Sequence, residues 1–366
     1  MILYNLLKPL IYSMDPETAH ERILSLGRRA SKHPALLNAL RAMFYLEDDH
    51  LKTQVGDLTF PNPIGLAAGF DKNAEIVPLF EALGFGAVEV GTVTPKGQPG
   101  NDHPRLFRLL EDRAIINRMG FNNEGIDAML HRLQGLSKNI PLGVNLGKNK
   151  STPNEEALSD YLCLLEKAYP WGDYFVINIS SPNTPGLRGL QELDSLTPLL
   201  EGLLEKRNEL AEASGQRKQI WLKLAPDLDS SELEKICQLA LQLKLDALVL
   251  TNTTISRPKL KSKHALESGG LSGKPLRDLS NKRLKEAVEF TKGEIPLIGV
   301  GGIFNAKDVA EKLKLGASLV QVYSGLIFEG PGLIQRLKKD LLKEMASLEV
   351  KSLAQLQQHR LEERNP

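Results

Sequence analysis

Five asparagines, Asn117, Asn145, Asn178, Asn183 and Asn252, lie at or just beyond the ends of short apolar runs. An asparagine side chain offers both a donor and an acceptor, so a set of them suits a neutral, planar, amide-rich ligand. Taken singly, each is equally an ordinary turn or helix-cap residue. Gathered in one place they would need partners, because a buried amide left unsatisfied costs about 1–3 kcal/mol. Lys72 and Lys223 also follow or end apolar runs, where a cation is costly unless it meets an anion. Three roles are open to them: a Schiff-base amine, a partner for a substrate carboxylate, or a stabiliser of charge on a reduced cofactor. A solvated surface lysine is the plain alternative. Gly299-Val300-Gly301-Gly302 and Tyr323-Ser324-Gly325 let backbone N–H groups approach a phosphate, although tight turns need glycine too. Ser180 to Gly189 is a polar run of turn residues long enough to form a lid. There is no HExxH, GxSxG or Walker sequence, and no His or carboxylate pair at the run ends, which disfavours metal hydrolysis and triad chemistry.

These residues are punctuated by about eight short runs: Ile64–Gly69, Ala87–Thr92, Leu142–Leu146, Tyr174–Ile179, Ile220–Leu224, Ala247–Thr251, Pro296–Val300 and Ser318–Tyr323. Continuous apolar strands alternating with helices indicate a parallel sheet buried on both faces, and this number favours a closed (β/α)8 TIM barrel over an open doubly wound sheet. In such a barrel the polar run ends converge on one mouth, where active sites of this fold sit. Between Thr94 and Asn117, the segments Arg105–Leu110 and Arg113–Ile116 flank Glu111-Asp112 and predict a hairpin inserted over that mouth. Ahead of the barrel, Leu3, Leu6, Leu7, Leu10, Ile11 and Met14 form a helical stripe. Asp15-Pro16 then reads as an N-cap with proline at the first helical position, starting a second helix with Ala19, Ile23, Leu26 and Ala30 on one side. Residues 1–46 are thus an N-terminal helical extension, Glu47-Asp48-Asp49-His50 a linker, and 52–366 the barrel domain, closed from Leu348 by a polar helical tail.

With 366 residues, 42% hydrophobic and 25% charged, the chain can bury a substantial core, which excludes disorder and a fibrous fold. Lys plus Arg (46) nearly cancels Asp plus Glu (45), so no overall field draws it to nucleic acid. Cys163 and Cys237 stand far apart, excluding a disulfide framework and a structural zinc cluster and suggesting a reducing compartment. No apolar run approaches the roughly 18–20 residues that span a bilayer, and no cleavable leader pattern is present.

At Ala68-Gly69-Phe70-Asp71-Lys72, Asn117-Arg118-Met119-Gly120-Phe121-Asn122-Asn123, Asn178-Ile179-Ser180-Ser181-Pro182-Asn183-Thr184 and Gln321-Val322-Tyr323-Ser324, the chain closely resembles the dihydroorotate dehydrogenases. The likeness runs from about Lys52 to Leu333 and implies an FMN flavoprotein of pyrimidine biosynthesis that oxidises dihydroorotate to orotate. It assigns FMN contacts to Ala68, Gly69, Lys72, Thr92, Asn145, Asn178, Lys223, Thr251, Gly273, Gly302, Tyr323 and Ser324, with Gly301 sharing the phosphate turn. It assigns the substrate to Lys72, Asn117, Arg118, Met119, Gly120, Phe121, Asn178, Asn183, Asn252 and Thr253. Ser181 would be the base, with Thr184 and Phe121 shaping the path of its proton.

The family has a cytosolic class with a catalytic cysteine and a membrane-associated class with serine in the lid. Ser181 and the N-terminal extension both place this chain with the second, whose flavin is reoxidised by a quinone. By the same resemblance His20, Arg105 and Tyr323 line the quinone tunnel. The expected partners are therefore dihydroorotate, a membrane quinone and the surface of a bacterial inner membrane on its cytoplasmic face, approached as a monomer or weak homo-oligomer. The basic flank Arg22, Arg28, Arg29 and Lys32 would suit that surface, and equally a solvated face. The rivals are a cytosolic flavoenzyme using fumarate or a nicotinamide cofactor, and a non-catalytic flavin-binding module.

Overall fold

The computed structural model describes residues 2–363, apart from the side chains of residues 2, 3, 5, 6 and 359–363. Eight parallel strands close a barrel: β1 (Ile64–Leu66), β2 (Ala87–Val93), β3 (Leu142–Leu146), β4 (Tyr174–Asn178), β5 (Gln219–Leu224), β6 (Ala247–Leu250), β7 (Leu297–Val300) and β8 (Ala317–Val322). Each pairs with the next, and β8 returns to β1. The apolar runs are continuous because both faces are covered. In β4, Tyr174 and Val176 join Trp221, Val249 and Ile298 inside the barrel, while Phe175 and Ile177 point outward under the helices, as the period-2 alternation of a strand requires.

A hairpin for which no expectation was drawn, Thr53–Val55 with Leu58–Phe60, plugs the N-terminal end of the barrel. Phe60 lies 6.5 Å from the rings of Tyr174 and Trp221, which stack at 3.8 Å. The expected hairpin over the opposite end is present, with Leu106–Leu109 antiparallel to Ala114–Asn117. It carries a third strand, Gly270–Gly273, paired to Ala114–Asn117. That strand arrives from the loop after β6, and so distant a pairing leaves no local pattern in the sequence.

Helices α1 (Ile2–Ser13), α2 (Pro16–Ser31) and α3 (Pro34–Phe44) lie against the barrel side. Asp15 caps α2, accepting from the N–H groups of Glu17 and Thr18 at 3.1 and 2.9 Å, with Pro16 in the first turn. Gly27 lets α2 rest on the barrel, since a Cβ there would stand 2.8 Å from Ile76 Cγ2. Of the predicted stripe on α1, the side chains of Leu3 and Leu6 lie outside the described residues, and Leu7 and Leu10 are exposed. Ala19 and Ala30 of α2 are buried, but Ile23 and Leu26, expected beside them, remain exposed. The small residues allow close packing, Leu26 is left facing outward, and Ile23 borders a cavity between the helices and the barrel. The end of the extension is pinned by a buried cation: Lys338 Nζ donates to the carbonyls of Leu46 (2.8 Å) and Gly84 (2.9 Å). The C-terminal helix Leu353–Glu363 is not merely a polar tail, because Leu353 and Leu356 are buried and Gln357 donates to the Ala317 carbonyl.

Candidate active site

The strand ends and their loops border a cavity at the C-terminal mouth, about 1030 Å³ counting the space open to solvent. Ala68, Gly69 and Lys72 enter after β1, Thr92 from β2, Asn178, Ser181 and Asn183 from β4 and its lid, and Lys223 from β5. Thr251, Asn252 and Thr253 follow β6, Gly301 and Gly302 follow β7, and Tyr323 and Ser324 follow β8. The inserted sheet adds Asn117 and Gly273, and the loop after Asn117 adds Met119, Gly120 and Phe121. Phe121 is held at a φ of 55° between Gly120 and Asn122, a conformation uncommon for a bulky residue and one that clusters at functional sites.

Three of the expected mouth residues do not line the cavity. Asn145 stands behind Asn178. Arg118 turns its guanidinium to Glu267 (2.8 Å) and the Ser268 carbonyl (3.2 Å), since its neighbours Asn117 and Met119 occupy the inward positions of the strand end. Thr184 is buried in the lid, its hydroxyl without a hydrogen-bond partner.

The asparagines are joined by hydrogen bonds. Asn178 Nδ2 donates to Asn145 Oδ1 (3.0 Å) and Thr92 Oγ1 (2.9 Å), while its Oδ1 accepts from Ser180 Oγ (3.1 Å) and Asn252 Nδ2 (3.3 Å). Asn183 donates to Asn117 Oδ1 at 3.2 Å across the mouth. The chain of bonds ends on a residue the sequence analysis did not single out, Glu89, which is fully buried in β2. Glu89 accepts from Asn145 Nδ2 (2.7 Å) and Gln321 Nε2, and lies 3.7 Å from Lys223 Nζ. A carboxylate amid the run Ala87–Val93 was its signal, since a charge inside a strand buried on both faces requires a partner. Lys223 is thereby a paired core cation and not a solvated one.

Lys72 has no ion pair among the described residues, and its Nζ lies 3.3 Å from Met119 Sδ. Burial pushes its pKa down to about 8, with the Arg105 charge adding and the Glu17 charge opposing. A cation so placed is a seat for an anion. Ser181 is buried at the cavity wall, and its Oγ accepts from the Asn183 backbone N–H at 3.2 Å.

The donor set fits the FMN implied by the resemblance. Gly301 and Gly302 adopt φ values of 117° and 74°, and a Cβ on Gly302 would stand 2.4 Å from Arg277 Cβ, so the turn offers bare backbone as a phosphate cradle needs. Ser280 Oγ donates to the Val300 carbonyl just before that turn and accepts from the buried Lys312 Nζ at 2.9 Å. Gln321 keeps a buried Oε1 without a partner beside the cavity, a place for a ring N–H.

A second cavity, about 1240 Å³ counting the space open to solvent, lies between the N-terminal helices and the barrel. Tyr4, Ala19, His20, Leu40 and Phe44 line one side, and Phe70, Phe80, Leu106, Arg108 and Leu326 the other. Tyr323 borders both cavities, its phenol pushed up to about 12 by burial. His20 packs edge-on against Phe70 at 4.9 Å. Burial, and then the Lys72 charge, pushes its pKa down to about 3, so its ring is neutral. Arg105 is absent from this lining: its Nε and Nη2 grip Glu17 of α2 at 3.1 and 2.8 Å, and its Nη1 donates to the Pro99 and Asn101 carbonyls. Arg108 reaches the cavity instead, donating to the Ile11 and Tyr12 carbonyls. Residues three apart on a strand face opposite ways, and only the packing of α2 decides which arginine faces in. Among the described residues no three His, Cys, Asp or Glu side chains form a metal site.

Comparison with known proteins gives one answer at three levels. The dihydroorotate dehydrogenase family model matches residues 50–345. A dihydroorotate dehydrogenase (quinone) of Idiomarina loihiensis is 48% identical over 340 residues, covering 93% of this chain and 100% of that one. Another, from Christiangramia forsetii, is 48% identical over 93% of this chain and 98% of its own. Among solved structures, ligand-free DHODH from Eimeria tenella superposes with a TM-score of 0.86 at 40% identity, covering 93% of this chain and 98% of that one.

Proposed function

Because the chain belongs to the dihydroorotate dehydrogenase family, we propose that it oxidises (S)-dihydroorotate to orotate in pyrimidine biosynthesis and passes the electrons through FMN to a quinone. The observation that carries this reading is the convergence of Lys72, Ser181 and four of the five asparagines on one cavity wall. When bound there, FMN supplies the acceptor for the hydride leaving C6 of the substrate. Gly301, Gly302 and Ser324 would hold its phosphate, and Thr92, Asn178, Lys223 and Gln321 its ring. Lys223, paired to Glu89, presents a cation to negative charge gathering at that end of the cavity.

Lys72 binds the substrate carboxylate, and Asn117, Asn178, Asn183 and Asn252 fix the ring amides, so the C5–H is oriented before any bond breaks. Ser181 Oγ takes the C5 proton. A free hydroxyl is too weak a base for this at neutral pH, and the backbone N–H of Asn183 orients it. The unpartnered Thr184 hydroxyl offers the next stop for the proton, with Phe121 screening the path from solvent.

The apolar cavity is the proposed quinone site, entered through residues 1–46 and meeting the polar cavity at Tyr323. Six of the nine large hydrophobics left exposed among the described residues, Leu7, Leu10, Ile23, Leu26, Leu36 and Met43, belong to α1–α3. No described helix is long and apolar enough to cross a membrane. Docking of α1–α3 in the plane of a bilayer, on the cytoplasmic face of a bacterial inner membrane, accounts for both. The test is anaerobic stopped-flow absorbance with dihydroorotate, followed by a ubiquinone analogue, fumarate or NAD. Flavin bleaching reversed only by the quinone is expected. Reoxidation by fumarate or NAD would refute the quinone assignment, and absence of bleaching would refute the substrate.

A further inference from the structure

Ser181 sits on a loop without regular structure, between the end of β4 and the turn Leu187–Gln191, and among the described residues its hydroxyl is held by the Asn183 N–H alone. Asn252 Nδ2 holds the Ser180 hydroxyl (2.9 Å), and Asn117 and Asn101 hold Asn183, while one further side chain joins the lid to the neighbouring loops at three points. Arg188 Nε donates to the Ser180 carbonyl (3.0 Å), Nη1 to Asp227 Oδ2 (2.8 Å), and Nη2 to the Thr253 carbonyl (2.9 Å). Asp227, on the loop after β5, also accepts from the Ile255 N–H at 3.2 Å and from the Thr254 hydroxyl. The two side chains are about four-fifths buried, at 21% and 18% exposure. Neither borders the cavity. One rigid guanidinium therefore ties the residue before Ser181 to Thr253, across the loops following β4, β5 and β6. The planar fork serves three directions at once, which a lysine ammonium on its flexible stem does not reproduce.

We propose that Arg188 and Asp227 are positioning residues that clamp the lid shut and set Ser181 against the substrate for proton abstraction. The proposal rests on the reading of Ser181 as the base. A clamp so placed acts on both halves of the substrate grip, the base through Ser180 and the ring contacts through Thr253, while leaving the apolar cavity untouched. A misplacement of about 1 Å at a reacting group costs as much as about 100-fold in rate.

The test uses FMN-loaded holoenzyme of Arg188→Met, Asp227→Asn, Arg188→Lys and Ser181→Ala. It follows flavin bleaching at saturating dihydroorotate, orotate affinity from the flavin absorbance shift, and hydrogen exchange of the amides of residues 180–190 with orotate bound. Arg188→Met and Asp227→Asn are expected to stay yellow, bleach about 10–100-fold more slowly, bind orotate more weakly and exchange faster in the lid. Reoxidation by a ubiquinone analogue is expected at the wild-type rate, with Arg188→Lys intermediate in bleaching. Wild-type bleaching in both clamp variants, with Ser181→Ala slow, overturns the clamp alone. Slower bleaching with unchanged lid exchange also overturns it, since the lid is then held by other contacts. Wild-type bleaching in Ser181→Ala instead removes the base, and the clamp's purpose with it. Should Arg188→Met shed its flavin, Asp227→Asn, which keeps the side-chain shape, decides the matter.

Discussion

The cavity at the barrel mouth is walled by strand ends whose asparagines bond to one another, whereas the cavity beneath α1–α3 is walled by Phe70, Phe80, Leu106 and Leu326, with His20 and Arg108 among its few polar groups. In the first, the asparagine amides are fixed in direction by their mutual hydrogen bonds, so a planar ligand is held in one orientation and a proton can be aimed. The second selects by size and apolarity, and its neutral histidine adds no charge. The two also differ in what supports them. Hydrogen-bonded strands hold the polar cavity from every side, and a buried carboxylate, Glu89, completes its network. The apolar one depends on helices kept in place by small contacts such as Gly27 on Ile76, by the Glu17–Arg105 pair and by Tyr4 Oη on the Ile327 carbonyl. The contrast suits the polar cavity to chemistry that needs orientation and the apolar one to a ligand chosen by size and apolarity.

Changes confined to one cavity should therefore leave the other half-reaction intact. The largest separation is expected from Ser181→Ala, which should slow flavin reduction by dihydroorotate about 10²–10⁴-fold while quinone reoxidation of chemically reduced enzyme keeps its rate. A mutant reduced at the wild-type rate in stopped flow would remove Ser181 from the mechanism. Lys72→Met should raise the Kd for orotate about 10–100-fold, the worth of a charged hydrogen bond, again with quinone kinetics unchanged. Titration of the flavin spectrum reads this directly.

From the other side, deletion of residues 1–45 should lower kcat/KM for a ubiquinone analogue by about tenfold, the scale of losing apolar contact, yet spare bleaching by dihydroorotate. Equal quinone kinetics in full-length and truncated enzyme would refute the tunnel assignment. The pH dependences should differ more gently. The Lys72 amine is charged below its pKa of about 8 and loses its proton above it, so orotate affinity should weaken about twofold from pH 7 to 8. An unperturbed lysine would show no change there. For the quinone step no inflection is expected near pH 6.5, because His20 is already neutral, and a break at that pH would place a charged histidine in the apolar cavity.

Much of the barrel was legible because its strands are buried on both faces, so Ala87–Thr92 or Tyr174–Ile179 could hardly be anything else in this alternation. The polar residues at their C-terminal ends were legible for the same reason, since strand direction sends them all to one rim. Less could be read where a residue's partner lies far away in the chain. The third strand of the inserted sheet, Gly270–Gly273, has no turn linking it to Ala114–Asn117. Leu353 and Leu356, two apolar residues in a polar tail, gave too weak a period to predict their burial.

By itself, then, the sequence determined the layered barrel, the mouth and the kinds of group that meet there, because hydrophobic periodicity and strand-end chemistry are local properties of the chain. Only the tertiary structure decided that Arg118 faces Glu267, that Arg105 is taken by Glu17 so that Arg108 reaches the second cavity, and that Glu89 underlies Lys223. Each of those is a choice among side chains of similar chemistry. It is settled by which opposite charge or carbonyl lies within about 3–4 Å once distant segments have packed.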